Sequence, residues 1–190
     1  MHAEIEKTIK DNPEEGARLL VEHFGQRLYA TAYRLCLNYA DAEDLVFQTL
    51  AQAVRKISSF GGKSSLFTWL CAILTNYWRM SMRKSAVMEF FGEPPEDVED
   101  VQADPGESLS AADDAASIRA EVERLPVQLR VPVVLYYFDG LKVPEISSAT
   151  GIPEGTVYYL LHEARLKLRK ALAPRFERHN ASKKERRKKK

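Results

Sequence analysis

The sequence contains little cysteine and no grouping of metal-binding side chains. Two cysteines occur among the 190 residues, Cys36 and Cys71, and each lies within an apolar helical pattern. Neither has a second cysteine or a histidine at the spacing of a metal site, and the four histidines are scattered along the chain. We therefore expect no disulfide framework and no metal, and we predict that both thiols are buried.

Long apolar runs and catalytic motifs are also lacking. No apolar stretch approaches the roughly 20 residues needed to span a bilayer, and the N-terminal sequence MHAEIEKTIKDN has no signal-peptide core. This predicts a cytoplasmic protein without membrane insertion. No glycine-rich phosphate loop follows a strand and no carboxylate pair forms a known motif, so we expect neither an enzyme nor a cofactor.

Charge is nearly balanced over the whole chain but unevenly distributed along it. The formal net charge is +1, yet the stretch from Glu93 to Asp114 holds nine acidic residues, three prolines and no lysine or arginine. Like charges repel and proline blocks regular structure, so residues 91–114 are predicted to form a flexible acidic linker. Residues 174–190 are strongly basic and are predicted to form a solvated tail.

Helical periodicity on both sides of this linker predicts an all-α fold of two small helical domains. The first covers residues 14–90 and the second residues 115–173. In the first domain Asp41 is the predicted N-cap of the segment ADAEDLVFQTLAQAVRKI. In the second, Gly151 at a turn and Pro153 at a helix start predict a helix-turn-helix.

Two segments have the composition of nucleic-acid-binding surfaces. SSFGGKSS, residues 58–65, predicts a short polar loop, and the next helix carries Trp69, Asn76, Arg79 and Arg83 on one face. Rings stack on splayed bases, amides read base edges and arginine holds phosphate, so this face suits unpaired bases. The helix-turn-helix would place the start of its second helix in a groove of duplex DNA.

Taken in order, two stretches resemble one protein family. ADAEDLVFQTLAQAVRKISSFGGKSSLFTWL resembles region two, and LPVQLRVPVVLYYFDGLKVPEISSATGIPEGTVYYLLHEARLKLRKAL resembles region four, of bacterial extracytoplasmic-function (ECF) sigma factors. With their flanks they cover most of residues 20–172. The resemblance implies an RNA polymerase subunit that directs promoter recognition and transcription initiation. Its implied partners are core RNA polymerase and promoter DNA, and an anti-sigma factor is a further candidate partner.

The same resemblance implies roles for individual residues. Docking on the polymerase clamp helices is implied for Asp44, Phe47, Gln48 and Gln52. Contact with the unpaired minus-ten strand is implied for the loop and the helix after it, through Phe60, Lys63, Ser64, Ser65, Trp69, Asn76, Arg79 and Arg83. Contact with the minus-thirty-five duplex is implied for Thr156, Tyr158, Tyr159, His162 and Arg165.

The second helix of the helix-turn-helix departs from the family pattern. Tyr158, Tyr159, Leu160 and Glu163 replace family residues that commonly include three cations, and Leu160, which the pattern leaves unexplained, is expected to be either core or partner-facing. Each lost phosphate contact weakens salt-dependent affinity, so we expect weak or differently aimed binding at the minus-thirty-five element.

Two other classes of protein fit parts of the sequence. A sigma-like decoy would bind an anti-sigma factor without reading promoters, which the missing cations would permit. A helix-turn-helix repressor would bind duplex DNA alone. The polar loop and basic face of the first domain argue against the decoy, and its likeness to a polymerase-docking domain argues against the repressor.

Overall fold

The computed structural model describes residues 2–84 and 113–188, with side chains at residues 4–82 and 116–173. The structure in these two ranges is helices and turns without a β-strand, which confirms the all-α fold. Residues 85–112, which hold most of the predicted linker, lie outside the described residues, as does the side chain of Arg83.

The first unit is built from helices joined by tight turns. Its elements are α1 (His2–Asp11), α2 (Pro13–Leu20), a π-helical turn (Val21–Gly25), α3 (Gln26–Cys36), α4 (Tyr39–Lys56), a 3₁₀ turn (Ile57–Ser59) and α5 (Leu66–Lys84). Asn12 and Asn38 cap α2 and α4, each accepting a hydrogen bond from the backbone N–H three residues later. The predicted cap at Asp41 is wrong, because α4 begins earlier and the N–H of Asp41 is the group that Asn38 caps.

The second unit contains the predicted helix-turn-helix. Its elements are α6 (Asp113–Glu123), α7 (Val127–Val133), a π-helical turn (Val134–Phe138), α8 (Val143–Thr150) and α9 (Glu154–Lys188). Between α8 and α9, Gly151 has a φ of 72°, a left-handed conformation that glycine adopts without steric cost. The backbone of α9 stays helical as far as Lys188, beyond the end that the sequence pattern predicts.

The two units share one hydrophobic core. A single cluster of buried apolar side chains includes Leu28, Leu70 and Leu74 of the first unit together with Leu135, Ile146 and Leu161 of the second. Helix α5 packs along α8, and α3 packs against α7 and the π-helical turn that follows it. The sequence patterns predict two units but do not predict that they pack together.

Candidate functional site

Helix α4 presents an exposed face around one aromatic ring. Asp44, Phe47 and Gln48 are all exposed, and 74% of Phe47 is open to solvent. Gln52, one turn further along, is half-buried and accepts a hydrogen bond from Arg55 at 3.2 Å. An exposed phenylalanine beside an acid and amides is a surface that can bind another protein through apolar burial.

The loop between the 3₁₀ turn and α5 holds one aromatic side chain inward and polar groups outward. Phe60 is 9% exposed, and its ring centroid lies 5.3 Å from that of Trp69 at an angle of 49°. Lys63 and Ser65 are exposed and Ser64 is half-buried. Ser65 caps α5, since its hydroxyl accepts a hydrogen bond from the N–H of Thr68 at 3.0 Å.

The face of α5 after this loop borders an open cleft. The cleft has a volume of about 580 Å³ and lies between α4, α5 and the end of α8. Trp69 is half-buried on its wall, Asn76 is exposed, and Arg79 is half-buried. The structure therefore brings the aromatic, amide and guanidinium groups of the predicted base-binding face together on one wall.

The opposite wall of this cleft belongs to the second unit. Ser148, Ala149, Thr150 and Gly151 line it, and Arg79 donates a hydrogen bond to the backbone carbonyl of Thr150. These last carbonyls of α8 carry the negative end of the helix dipole, which favours a cation such as Arg79. Arg79, which is part of the predicted DNA-binding face, is thus hydrogen-bonded to another residue of the same chain.

Two more polar contacts join α5 to α8. The Thr68 hydroxyl donates a hydrogen bond to Glu145 Oε1 at 2.9 Å, and the Thr75 hydroxyl lies 2.9 Å from the carbonyl of Ala149. Glu145 also accepts a hydrogen bond from the N–H of Lys142 at 2.9 Å, so it caps α8 while bonding α5. The Glu145 carboxylate therefore stabilises both the start of α8 and the contact between the two units.

Helix α3 contributes a second set of contacts, centred on a buried carboxylate. Asp139 is 4% exposed, and its two carboxylate oxygens lie 2.9 and 3.0 Å from the hydroxyl of Thr31. Arg27 donates a hydrogen bond to the backbone carbonyl of Asp139. Burial raises the pKa of Asp139 to about 6, although Thr31, Arg27 and Arg34 each favour the charged form.

Arg130 adds a third link, from α7 to the end of α3. Its guanidinium is buried and donates hydrogen bonds to the carbonyl of Leu35 at 3.1 Å and to the carbonyl of Glu123 at 2.9 Å. A buried guanidinium needs acceptors to offset its lost hydration. Arg130 therefore depends on the first unit for one of its partners.

The start of α9 exposes few of the residues predicted to contact duplex DNA. Tyr158 is 38% exposed, whereas Thr156 is 5% exposed. The remaining three, Tyr159, His162 and Arg165, are half-buried. Leu160 is 8% exposed and belongs to the core, which explains a residue that the sequence pattern left without a role.

Sequence reasoning missed the residues that join the two units. They are Arg27, Thr31, Thr68, Thr75, Arg130, Asp139 and Glu145. The one available signal is the presence of threonine at positions 68 and 75, seven residues apart within a helix that is otherwise apolar on its inner side.

A polar loop before an aromatic and basic helix, followed by a helix-turn-helix unit, is the arrangement expected of a DNA-binding protein. The family described as Sigma-70 region 2 matches residues 20–87, and the family described as Sigma-70, region 4 matches residues 115–168. The chain belongs to the ECF family of RNA polymerase sigma factors, as its resemblance to that family predicts.

Two curated relatives illustrate the similarity. The chain is 33% identical over 157 residues to the ECF RNA polymerase sigma factor SigE of Mycolicibacterium smegmatis, a match that covers 81% of this chain and 60% of SigE. It is 27% identical over 175 residues to the ECF RNA polymerase sigma factor SigW of Bacillus subtilis, covering 87% of this chain and 94% of SigW. The chain thus spans less than two thirds of SigE and nearly all of SigW.

Solved structures share the fold. The sigma factor RpoE of Bartonella quintana, in complex with the anti-sigma factor NepR, superposes with a TM-score of 0.60 at 28% identity, covering 82% of this chain and 96% of RpoE. CnrH, in complex with the cytosolic domain of CnrY, gives a TM-score of 0.63 at 18% identity, covering 91% of this chain and 97% of CnrH. The second likeness concerns the fold alone.

Two further findings apply to the part of the chain that the structure describes. No helix there combines the length and apolar character needed to cross a bilayer. No group of three or more histidine, cysteine, aspartate or glutamate side chains there is arranged to hold a metal ion.

Proposed function

We propose that this protein is an alternative sigma factor that binds core RNA polymerase in the cytoplasm and directs it to promoter DNA. One observation carries the proposal: Trp69, Asn76 and Arg79 line one wall of an open cleft, directly after a loop of small polar residues. Aromatic, amide and guanidinium groups in this order can stack on an unpaired base, bond its edge and hold its phosphate.

Strand opening in this account needs binding and no covalent chemistry by the sigma factor. Free energy released when flipped bases bind the first unit shifts the promoter towards its open form. Phe60 packs against Trp69, with 5.3 Å between the ring centroids, and Lys63 and Ser64 of the preceding loop would offer polar groups to phosphate or base edges. Arg83 would extend the basic face along α5.

The exposed face of α4 is the proposed polymerase contact. Phe47 would enter an apolar pocket on the polymerase, with Asp44 and Gln48 bonding at its rim and Gln52 extending the contact. In the second unit, Tyr158 is the most exposed of the predicted duplex contacts, supported by Tyr159, His162 and Arg165. The side chain of Thr156 is buried, so we propose that it stabilises the start of α9.

An anti-sigma factor is proposed as a third partner. The support is the likeness to RpoE, whose solved structure contains the anti-sigma factor NepR. The likeness to RpoE extends over both units of the present chain. A partner that contacts both units would therefore find a similar fold in each of them.

Run-off transcription by core RNA polymerase on fragments of the source genome tests the proposal. Adding the protein is expected to yield new transcripts, and the Trp69→Ala/Asn76→Ala double variant is expected to lose them while still binding core polymerase. Tyr39→Ala removes a well-exposed ring elsewhere on the first unit and serves as the matched control. Core binding by the wild type without any transcript would favour the decoy instead.

A further inference from the structure

A groove with aromatic walls lies between α3 and the second unit. Its volume is about 390 Å³, which falls within the range of roughly 300–1,000 Å³ that is usual for small-molecule sites. The rings that line it are Tyr29, Tyr33, Tyr39 and Phe138. None of the residues assigned above to DNA or to polymerase lines this aromatic groove, so it is separate from the candidate functional site.

The rings of the aromatic groove present flat surfaces that are partly open to solvent. Tyr33 and Tyr39 stack with their centroids 4.7 Å apart and their planes at 28°, and 67% of Tyr39 is exposed. Tyr29 and Phe138 are half-buried. Aromatic rings prefer offset-stacked neighbours at centroid separations of about 4.5–7 Å, so a planar ligand can extend this stack.

Two guanidinium groups also line the aromatic groove. Arg34 of α3 lies over the ring of Phe138, 4.5 Å from its centroid, and Arg119 of α6 is exposed. Neither forms a hydrogen bond or a salt bridge with another residue in the described part of the chain. One carboxylate, that of Glu123, lines the groove as well, so positive side chains exceed negative ones there by one.

Electrostatic repulsion between these guanidiniums favours an added anion. Burial lowers the pKa of Arg34 and the nearby Arg119 lowers it further, whereas Asp139 and Glu123 raise it. A carboxylate or phosphate between Arg34 and Arg119 would reduce this repulsion and accept hydrogen bonds from both. The aromatic groove is therefore suited to a ligand that has a flat ring and a negative group.

We propose that the aromatic groove binds a small planar aromatic anion, with its ring among the tyrosines and its negative group between Arg34 and Arg119. Gln26 and Glu123 line the same groove and would bond polar groups on the edge of the ring. A nucleoside monophosphate and an aromatic carboxylate share this chemistry. The proposal does not depend on the promoter contacts proposed above, because it uses none of their residues.

Isothermal titration calorimetry with the full chain tests the proposal through two matched pairs of probes. AMP is compared with adenosine, and indole-3-carboxylate with indole-3-carboxamide, because the second member of each pair keeps the ring and lacks the negative charge. Inorganic phosphate supplies an anion without a ring. We expect one of the aromatic anions to bind about tenfold more tightly than its uncharged partner and than phosphate, and its identity shows which source of the chemistry the groove takes.

Arg119→Gln tests the contact with the negative group. Arg119 is exposed and has no bond within the described residues to lose, so the fold is expected to be kept. The aromatic anion should bind about tenfold more weakly, while its uncharged partner changes less than twofold. Arg124→Gln is the matched control: it removes another exposed guanidinium, which pairs with Glu121 at 2.6 Å and lies outside the groove, and binding should stay as in the wild type.

Tyr39→Leu tests the contact with the ring. Because most of Tyr39 is exposed, the fold should tolerate its loss, and circular dichroism confirms that each variant is folded. We expect about tenfold weaker binding of the aromatic anion. Trp69→Ala/Asn76→Ala should bind it as tightly as the wild type does, which separates the aromatic groove from the proposed base-binding face.

The outcomes that would overturn the proposal differ from those that would overturn the promoter contacts. Equal affinity for an aromatic anion and its uncharged partner would overturn the role of the guanidiniums, and equally tight binding of phosphate would overturn that of the rings. Binding that survives Arg119→Gln but is lost in Trp69→Ala/Asn76→Ala would assign the ligand to the base-binding face instead. If neither aromatic anion bound, the whole proposal would fail, whatever the transcription assay showed.

Discussion

Arg79 of α5 donates a hydrogen bond to the backbone carbonyl of Thr150, the last residue of α8. Arg79 belongs to the first unit and the carbonyl to the second. This hydrogen bond therefore links the two units that are each proposed to bind promoter DNA. The same guanidinium is proposed to hold phosphate of the unpaired strand. Because the guanidinium already bonds Thr150, the relative position of the two units affects whether Arg79 can bind DNA.

Substitution of Phe47 tests the proposed polymerase contact. Because 74% of Phe47 is exposed, Phe47→Ala is expected to leave the free energy of unfolding almost unchanged. Loss of its burial in the complex would cost about 2 kcal/mol, which lowers affinity for core polymerase by roughly 10- to 100-fold. Fluorescence anisotropy with labelled protein measures this, with Val21→Ala, another exposed apolar site, as the control.

Gly16 tests the close packing of α1 on α2. A Cβ at this position would lie 2.3 Å from Cγ1 and 2.5 Å from Cα of Ile9, so Gly16→Ala must push the helices apart. We expect it to lower the free energy of unfolding by about 1–3 kcal/mol in chemical denaturation. Gly155→Ala is the matched control: apart from its chain neighbours and the backbone of its own helix, no atom lies within 4 Å of the added Cβ, and alanine favours a helix, so stability should hold or rise.

Asp139 gives the stability of the protein a dependence on pH. Burial raises the pKa of Asp139 to about 6 from an ordinary 3.8, against the opposing effects of Thr31, Arg27 and Arg34. Between these two values the folded protein retains a proton that the unfolded chain has released. The contribution of Asp139 therefore favours folding most at low pH, decreases as pH rises through this window, and is level above it.

Asp139→Asn removes that titration while its amide oxygen can still accept the hydrogen bond from Thr31. Relative to the wild type, the variant should gain stability between about pH 4 and about pH 7, by an amount on the order of 1–3 kcal/mol. Urea unfolding of both proteins across that range measures the difference. A difference that does not change with pH would show that Asp139 keeps its ordinary pKa in the folded protein.

Most of the helices were predictable, because their apolar residues recur with helical period, but α1 lies before residue 14, where the first domain was predicted to begin. The burial of Cys71 followed from the same pattern, whereas the prediction that Cys36 is also buried is wrong, because Cys36 is partly exposed near the end of α3. The start of α4 was placed too late, because Asn38 and Asp41 are both good caps and the choice depends on local geometry.

The contact between the units could not be read from the sequence for a different reason. Two of the three acceptors on α8 are the backbone carbonyls of Ala149 and Thr150. Every residue has a backbone carbonyl, so the residue type does not show which carbonyl accepts a hydrogen bond. On the donor side, threonine at positions 68 and 75 is compatible with either an apolar or a polar neighbour. Only the positions of the helices show which of these is present.

We expect the wall formed by Trp69 and Asn76 to capture unpaired bases during promoter opening. The most direct measurement places 2-aminopurine in the non-template strand of the minus-ten element of a promoter found by run-off transcription. With core polymerase and wild-type protein its fluorescence is expected to rise, and with Trp69→Ala/Asn76→Ala the rise should disappear although the complex still forms. An equal rise with the double variant would contradict the claim, since the bases would then be unpaired without this wall.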